Sequence, residues 1–224
     1  MEREKRKHKI VLNRKLAELI GIVMGDGFLE STPNHYRIGI VGDPIKDKDY
    51  YEYVRSLIRD ICAKEVRSVE RARGLRITFG HKKLFTELTH LYRLPVGEGK
   101  SKKVRIPSII AKDWRLAKHT IRGIVDTDGS IFGADKTGAP NYPSIEITTS
   151  SITLAKQLRR ILLAQGFKTA NIWRYQSKNS SIPSYKVPLN GYKNVRMWLE
   201  KIGFSNPTKR RKAEILLKEE KKDI

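Results

Sequence analysis

Two stretches of this chain are near copies of each other: residues 19–27 read LIGIVMGDG and residues 121–129 read IRGIVDTDG. Each has the apolar spacing of a short helix and closes on Asp-Gly, so a fold that pairs the two helices carries Asp26 and Asp128 side by side. The copy extends well past the motifs. Residues 36–41 alternate as a strand and are answered by 144–149, Ile38 and Ile40 matching Ile145 and Ile147. Tyr50, Val54, Leu57 and Ile58 then mark a helix face that recurs as Leu154, Leu158, Ile161 and Leu162, with Asp47 and Ser151 placed to cap the two helices. A strand pair follows in each half: 66–71 with 75–79, turning near Gly74, and 170–176 with 184–189, turning through 177–181. A closing helix is marked by Leu84, Leu88 and Leu91 in the first half and by Val195, Leu199 and Ile202 in the second. Each half reads helix, two strands, helix, two strands, helix.

Net charge narrows the partner. With 46 Lys and Arg against 24 Asp and Glu the chain carries +22, which points to a polyanion, because each phosphate neutralised releases counterions and adds sequence-independent affinity. No apolar run approaches the roughly 18 residues of a membrane span. The charged start MEREKRKHK has no apolar stretch behind it, so no secretory signal is read and a cytoplasmic location is expected. One cysteine, Cys62, excludes an internal disulfide and a cysteine-rich zinc site.

The motif residues suit a metal site. Glycine in mid-helix costs about 1 kcal/mol against alanine, so Gly21 and Gly123 are expected where the two helix backbones touch. Gly27 and Gly129 are expected as left-handed caps, which sets Asp26 and Asp128 at helix C-termini. The macrodipole there favours a cation and raises the cost of two close carboxylates, and Mg²⁺, a hard ion taking oxygen ligands, would offset that cost.

In order along nearly the whole chain, these residues resemble the LAGLIDADG homing endonucleases in their single-chain, two-motif form. The resemblance implies an α+β fold of two pseudo-symmetric αββαββα halves, a curved antiparallel DNA-binding saddle, and the LAGLIDADG helices at the interface between halves. The expected division is a basic arm over 1–9, a first half over 10–100, a linker over 101–115 and a second half over 116–224. The implied activity is site-specific cleavage of double-stranded DNA at a long asymmetric site by a monomer, leaving short 3′ overhangs. Mg²⁺ is the expected cofactor, with Mn²⁺ substituting and Ca²⁺ binding without supporting cleavage. Asp26 and Asp128, with Gly25 and Thr127 beside them, are the expected metal ligands, and Lys103 and Lys209 (or Lys212) the expected charge-stabilising lysines. The polar residue that the family often carries on the first strand is not obvious, the nearest being Gly42 or Asp43 and Thr148 or Thr149.

Strand alternation nominates the DNA contacts. Arg76 and Thr78 are expected to face out from Leu75, Ile77 and Phe79; Arg174 and Gln176 out from an inward Trp173 and Tyr175; and Lys186 out from Tyr185 and Val187. Arg37, Arg67 and Arg71 are expected on other strands of the same surface.

One position departs from symmetry: the sixth motif residue is Met24 in the first copy and Asp126 in the second. Residues 125–131, VDTDGSI, also resemble the nucleophile motif of haloacid-dehalogenase-type phosphatases, but no later acidic pair appears before Glu219-Glu220, and the first motif is left unexplained. An EF-hand loop counted from Asp126 has Thr137 where glutamate is needed. The rival on the same scaffold is an RNA-splicing maturase or a DNA-binding protein without cleavage. An intein is disfavoured by the initial Met and the missing splice-junction residues, and the charge-rich, cysteine-poor composition fits a thermophilic archaeon.

Overall fold

Each motif helix starts from a side-chain cap and ends in a strand. In the computed structural model, which describes residues 10–71, 74–97, 99–136, 139–177 and 180–219, Asn13 accepts hydrogen bonds from the backbone N–H groups of Lys15 and Leu16 and opens α1 (Arg14–Met24). Asp113 caps α6 (Trp114–Asp128) through the N–H of Arg115. The chain then passes directly into β1 (Gly27–Thr32) or β5 (Gly129–Lys136).

This corrects one expectation. Neither Gly27 nor Gly129 adopts a left-handed backbone. Glycine is needed there for room: a Cβ on Gly27 would lie 2.5 Å from the Cα of Val23, and one on Gly129 would lie 2.7 Å from the Val125 carbonyl.

The first half continues through β2 (His35–Gly42), α2 (Lys48–Cys62), β3 (Ser68–Arg71), β4 (Gly74–Phe79) and α3 (Lys82–Thr86), which runs into a π turn at Glu87–Leu91. The second continues through β6 (Ala139–Thr149), α7 (Ile152–Ala164), β7 (Trp173–Tyr175), β8 (Ser184–Asn190), α8 (Tyr192–Lys201) and α9 (Pro207–Glu219). Both sheets are antiparallel, in the orders β1-β2-β4-β3 and β5-β6-β8-β7, so the αββαββα duplication is realised in three dimensions.

Ser151 caps α7 as expected, accepting from Leu154 N–H while its hydroxyl donates to the Val104 carbonyl. Asp47 holds the cap position of α2 without bonding the helix; its carboxylate accepts instead from the N–H of Asp43. The segment expected as a linker is folded. It forms the turns α4 (Lys100–Lys103) and α5 (Ser108–Ala111), buries Val104, Ile106 and Ile110, and is pinned to α7 because the Gln157 amide bonds both the N–H and the carbonyl of Ile106.

The core lies between the inward sheet faces and the helices: Leu29, Ile38, Ile40, Leu75, Ile77 and Phe79 in one half, Ile131, Ile145, Ile147, Val187 and Leu189 in the other. Alternation failed on β7. Trp173 and Tyr175 pair with Lys186 and Ser184, so they stand on the outward face, exposed; an edge strand three residues long does not reach over the core. Among the described residues no helix is long and apolar enough to cross a membrane. The N-terminal arm lies outside the described residues.

Candidate active site and nucleic-acid surface

The two motif helices meet backbone to backbone. A Cβ on Gly21 would sit 2.1 Å from the carbonyl oxygen of Thr120, and one on Gly123 would sit 2.4 Å from that of Glu18. These contacts exchange under the pseudo-twofold relation between the motifs, as a self-complementary interface requires. Thr120 adds a hydrogen bond from its hydroxyl to the Ala17 carbonyl, 2.7 Å. Above the crossing, the buried Glu18 carboxylate forms an ion pair with the half-buried Arg122 that Ser205 Oγ joins at 2.6 Å and the His119 ring joins through Arg122 at 2.9 Å.

At the far end of the same crossing the helices deliver the acidic pair. A Cβ on Gly25 would lie 2.0 Å from Thr127 Oγ1 and 3.3 Å from a carboxylate oxygen of Asp128, so Asp128 reaches over the end of α1. Burial, then the charge of Asp128, then that of Asp47, pushes the Asp26 carboxyl up to about 7. Asp128 keeps more contact with solvent; burial raises it to about 6, against the pull of Lys100 and Lys209. Two groups that resist ionising next to each other are groups a divalent cation would favour.

Each helix end is closed by a lysine. Lys100 Nζ donates to the carbonyls of Val23 (2.9 Å) and Gly25 (3.0 Å), and Lys209 Nζ to those of Val125 (2.7 Å), Asp126 (2.7 Å) and Thr127 (3.1 Å). These carbonyls lie in and just past the last turn of each helix, at its negative end, and that of Val125 also accepts from the Gly129 N–H. Lys209 lies at the end of α6. In the first half the corresponding position belongs to Lys100, while Lys103 is exposed three residues on, at the end of the same turn; Lys212 is exposed too. Sequence reasoning placed Lys100 at the last position of the first half and gave the role to Lys103 instead. The signal available was its sequel, a short helical turn followed by buried Val104 and Ile106.

Asp126 acts differently from its neighbours. It is 1% exposed, raised to about 7 chiefly by burial, and its carboxylate accepts from Ser205 N–H at 2.8 Å. That bond holds the turn before α9, where Asn206 caps the helix through the N–H groups of Thr208 and Lys209 and so aims Lys209 at the site.

The donor set fits a hard cation that keeps other ligands. Asp26 and Asp128 offer carboxylate oxygens, and the carbonyls of Gly25 and Thr127 already accept from the lysines. Among the described residues no group of three or more His, Cys, Asp or Glu side chains could enclose a metal. An ion here would draw its remaining ligands from water and phosphate oxygens, the usual situation of Mg²⁺.

The nominated DNA contacts divide. Arg37, Arg76 and Thr78 are exposed on the outward face of the first sheet, Arg37 paired with Glu30 at 3.0 Å and Arg76 over the Phe28 ring at 5.5 Å. Arg67 is exposed just before β3, and the Arg71 side chain lies outside the described residues. Lys186 is on the outward face of the second sheet. Arg174 pairs with Tyr185, on the opposite face from Lys186, and its guanidinium donates to Gln176 Oε1 at 3.0 Å; Gln176 lies past the strand's end. The structure therefore does not bring Arg174 and Gln176 to the face that carries Lys186.

Comparison with known proteins agrees with this architecture. Residues 116–203 match the LAGLIDADG-like domain. The replication factor C small subunit of Methanocaldococcus jannaschii is 27% identical over 212 residues, 95% of this chain, and the chain spans only 11% of that protein's length. Among solved structures, I-DmoI in complex with DNA and Ca superposes with a TM-score of 0.61 at 16% identity, covering 90% of this chain and 96% of that one. The homing endonuclease I-WcaI bound to its DNA recognition sequence gives 0.60 at 17% identity, covering 93% and 89%. Full-length DUF199/WhiA from Thermatoga maritima gives 0.57 at 15% identity, covering 92% and 60%. Residues 116–203 therefore carry a LAGLIDADG-like domain, and the chain as a whole has the fold of the two-motif LAGLIDADG proteins.

Proposed function

We propose that this protein is a divalent-metal-dependent endonuclease that cuts both strands of DNA at a long asymmetric site, acting as a monomer and leaving short 3′ overhangs. The observation that carries this reading is the pairing of Asp26 with Asp128 at two touching helix ends, each closed by a lysine. In the proposal Asp26 and Asp128 hold Mg²⁺ or Mn²⁺, which when bound would activate water and offset charge on the leaving oxygen. Lys100 and Lys209 keep the two helix ends rigid and place positive charge beside the scissile phosphates. The outward sheet faces grip the duplex, and the +22 charge supplies the nonspecific part of the affinity. Structures of I-DmoI with DNA and Ca and with DNA and Mn support the choice of cofactor.

The test is a randomised duplex library from which bound and cleaved molecules are recovered with Mg²⁺, with Mn²⁺, with Ca²⁺ and with EDTA. Cleavage is expected in Mg²⁺ and Mn²⁺ alone, and is expected to vanish in Asp26→Asn and in Asp128→Asn while selective binding persists. Selective binding by the unaltered protein without cleavage in either metal would replace this reading with that of a DNA-binding protein on the same scaffold.

A further inference from the structure

The outward faces of the two sheets differ in chemistry. On β7 the side chains of Trp173 and Tyr175 are 59% and 47% exposed, on the face that carries Lys186. Their rings touch, with centroids 6.1 Å apart and planes inclined at 61°. Lys186 Nζ lies 5.4 Å from one ring centre and 5.7 Å from the other, and is bonded to the Glu146 carboxylate at 2.7 Å. The cation of this patch is thus neutralised and held from within. In the first sheet the corresponding register differs: Val69 stands opposite Arg76 where Trp173 stands opposite Lys186, and Arg37 and Arg76 are exposed. Adjacent exposed aromatic rings on a strand of a strongly charged protein are an interaction surface rather than ordinary scatter.

We infer that Trp173 and Tyr175 make the second half a reader of thymine, an assignment that rests on the duplex-binding reading above. In the major groove the thymine 5-methyl is the one apolar group that a base pair displays, and it is recognised by apolar contact rather than by hydrogen bonds. With its ammonium bonded to a carboxylate and only 25% of the Lys186 side chain exposed, against 59% and 47% for the two rings, most of what the patch offers is aromatic surface. The inclined rings, each with Lys186 beside it, provide no pair of parallel open faces between which an unpaired base would stack. The first half, with Arg76 exposed over the Phe28 ring, is left to read purine edges.

The experiment selects bound duplexes from a randomised library with the unaltered protein, with Trp173→Ala and with Tyr175→Ala, and then replaces each enriched thymine by uracil, which lacks only the methyl. Both side chains are exposed, and circular dichroism with thermal melting checks that the variants fold. The unaltered protein should enrich thymine at one or two positions in one half-site, and uracil there should weaken binding about fourfold, the value of one buried methyl. Trp173→Ala should lose both the enrichment and the uracil effect while still binding duplex through the other half-site. Equal binding of uracil and thymine duplexes, or a uracil effect that survives in both variants, would overturn the inference. Preferential binding of single strands that Trp173→Ala abolishes would overturn it in favour of a stacking platform. Failure to retain any duplex would instead overturn the reading on which it rests.

Discussion

Replacing Gly21 by alanine opposes two effects of known sign. Helix propensity alone favours alanine by about 1 kcal/mol. The structure places the new methyl 2.1 Å from the Thr120 carbonyl oxygen, whereas ordinary contact begins near 3.4 Å. The obstacle is backbone, so no rotamer change relieves it, and the helices must part by on the order of 1 Å, the kind of overpacking that costs about 1–3 kcal/mol or more. Gly21→Ala is therefore expected to lower the urea midpoint, with the denaturant slope unchanged. Gly123→Ala, whose methyl would meet the Glu18 carbonyl at 2.4 Å, is expected to do the same. The double variant should cost less than the sum of the two, because the first substitution has already opened the gap that the second needs. Unfolding followed by tryptophan fluorescence measures all three. A raised midpoint in either single variant would show that the helices do not touch at these glycines, and the pairing of Asp26 with Asp128 would lose its physical basis.

Further outcomes follow from the same geometry. Arg122→Met leaves the buried Glu18 carboxylate without its partner and is expected to destabilise by about 3–5 kcal/mol, with Glu18→Gln in the same molecule recovering part of the loss; denaturant titration of both variants decides it. Lys100→Met is expected to slow cleavage well over tenfold and Lys103→Ala to leave it within twofold, on the order expected for a lost charge beside a transition state and for an exposed surface change respectively. Equal effects in a cleavage assay would deny Lys100 its place at the helix end. Asp26, Asp126 and Asp128 are held protonated to about 7, 7 and 6, so between pH 4 and 7 the folded state binds more protons than the unfolded one, and metal-free stability should fall as pH rises through that window. His119, lowered to about 4 by burial and by Arg122, acts in the opposite sense between pH 4 and 6.5, one group against three. Thermal melting across this range tests the slope, and Mg²⁺ should raise the melting temperature more at pH 8 than at pH 5.

Periodicity was sufficient to read the duplicated αββαββα plan, the inward faces of β4 and β8 and the glycine crossing, because each of these is a local pattern that burial enforces twice in one chain. Where burial does not enforce the pattern, alternation misled: β7 is a three-residue edge strand, and Trp173 and Tyr175 turned outward. The role of Gly27 and Gly129 was likewise misassigned, since composition shows that a small residue is wanted and only the backbone shows whether the reason is dihedral angle or space.

By itself the sequence determined that two acidic helix ends would meet inside a cationic protein, because repeated motifs joined by equivalent elements have one economical way to bury their apolar faces. Only the tertiary structure decided which lysines close those ends. Lys100 and Lys209 reach their carbonyls from segments distant in the chain, and a contact across that separation depends on how α4 and α9 pack. No local spacing encodes that choice.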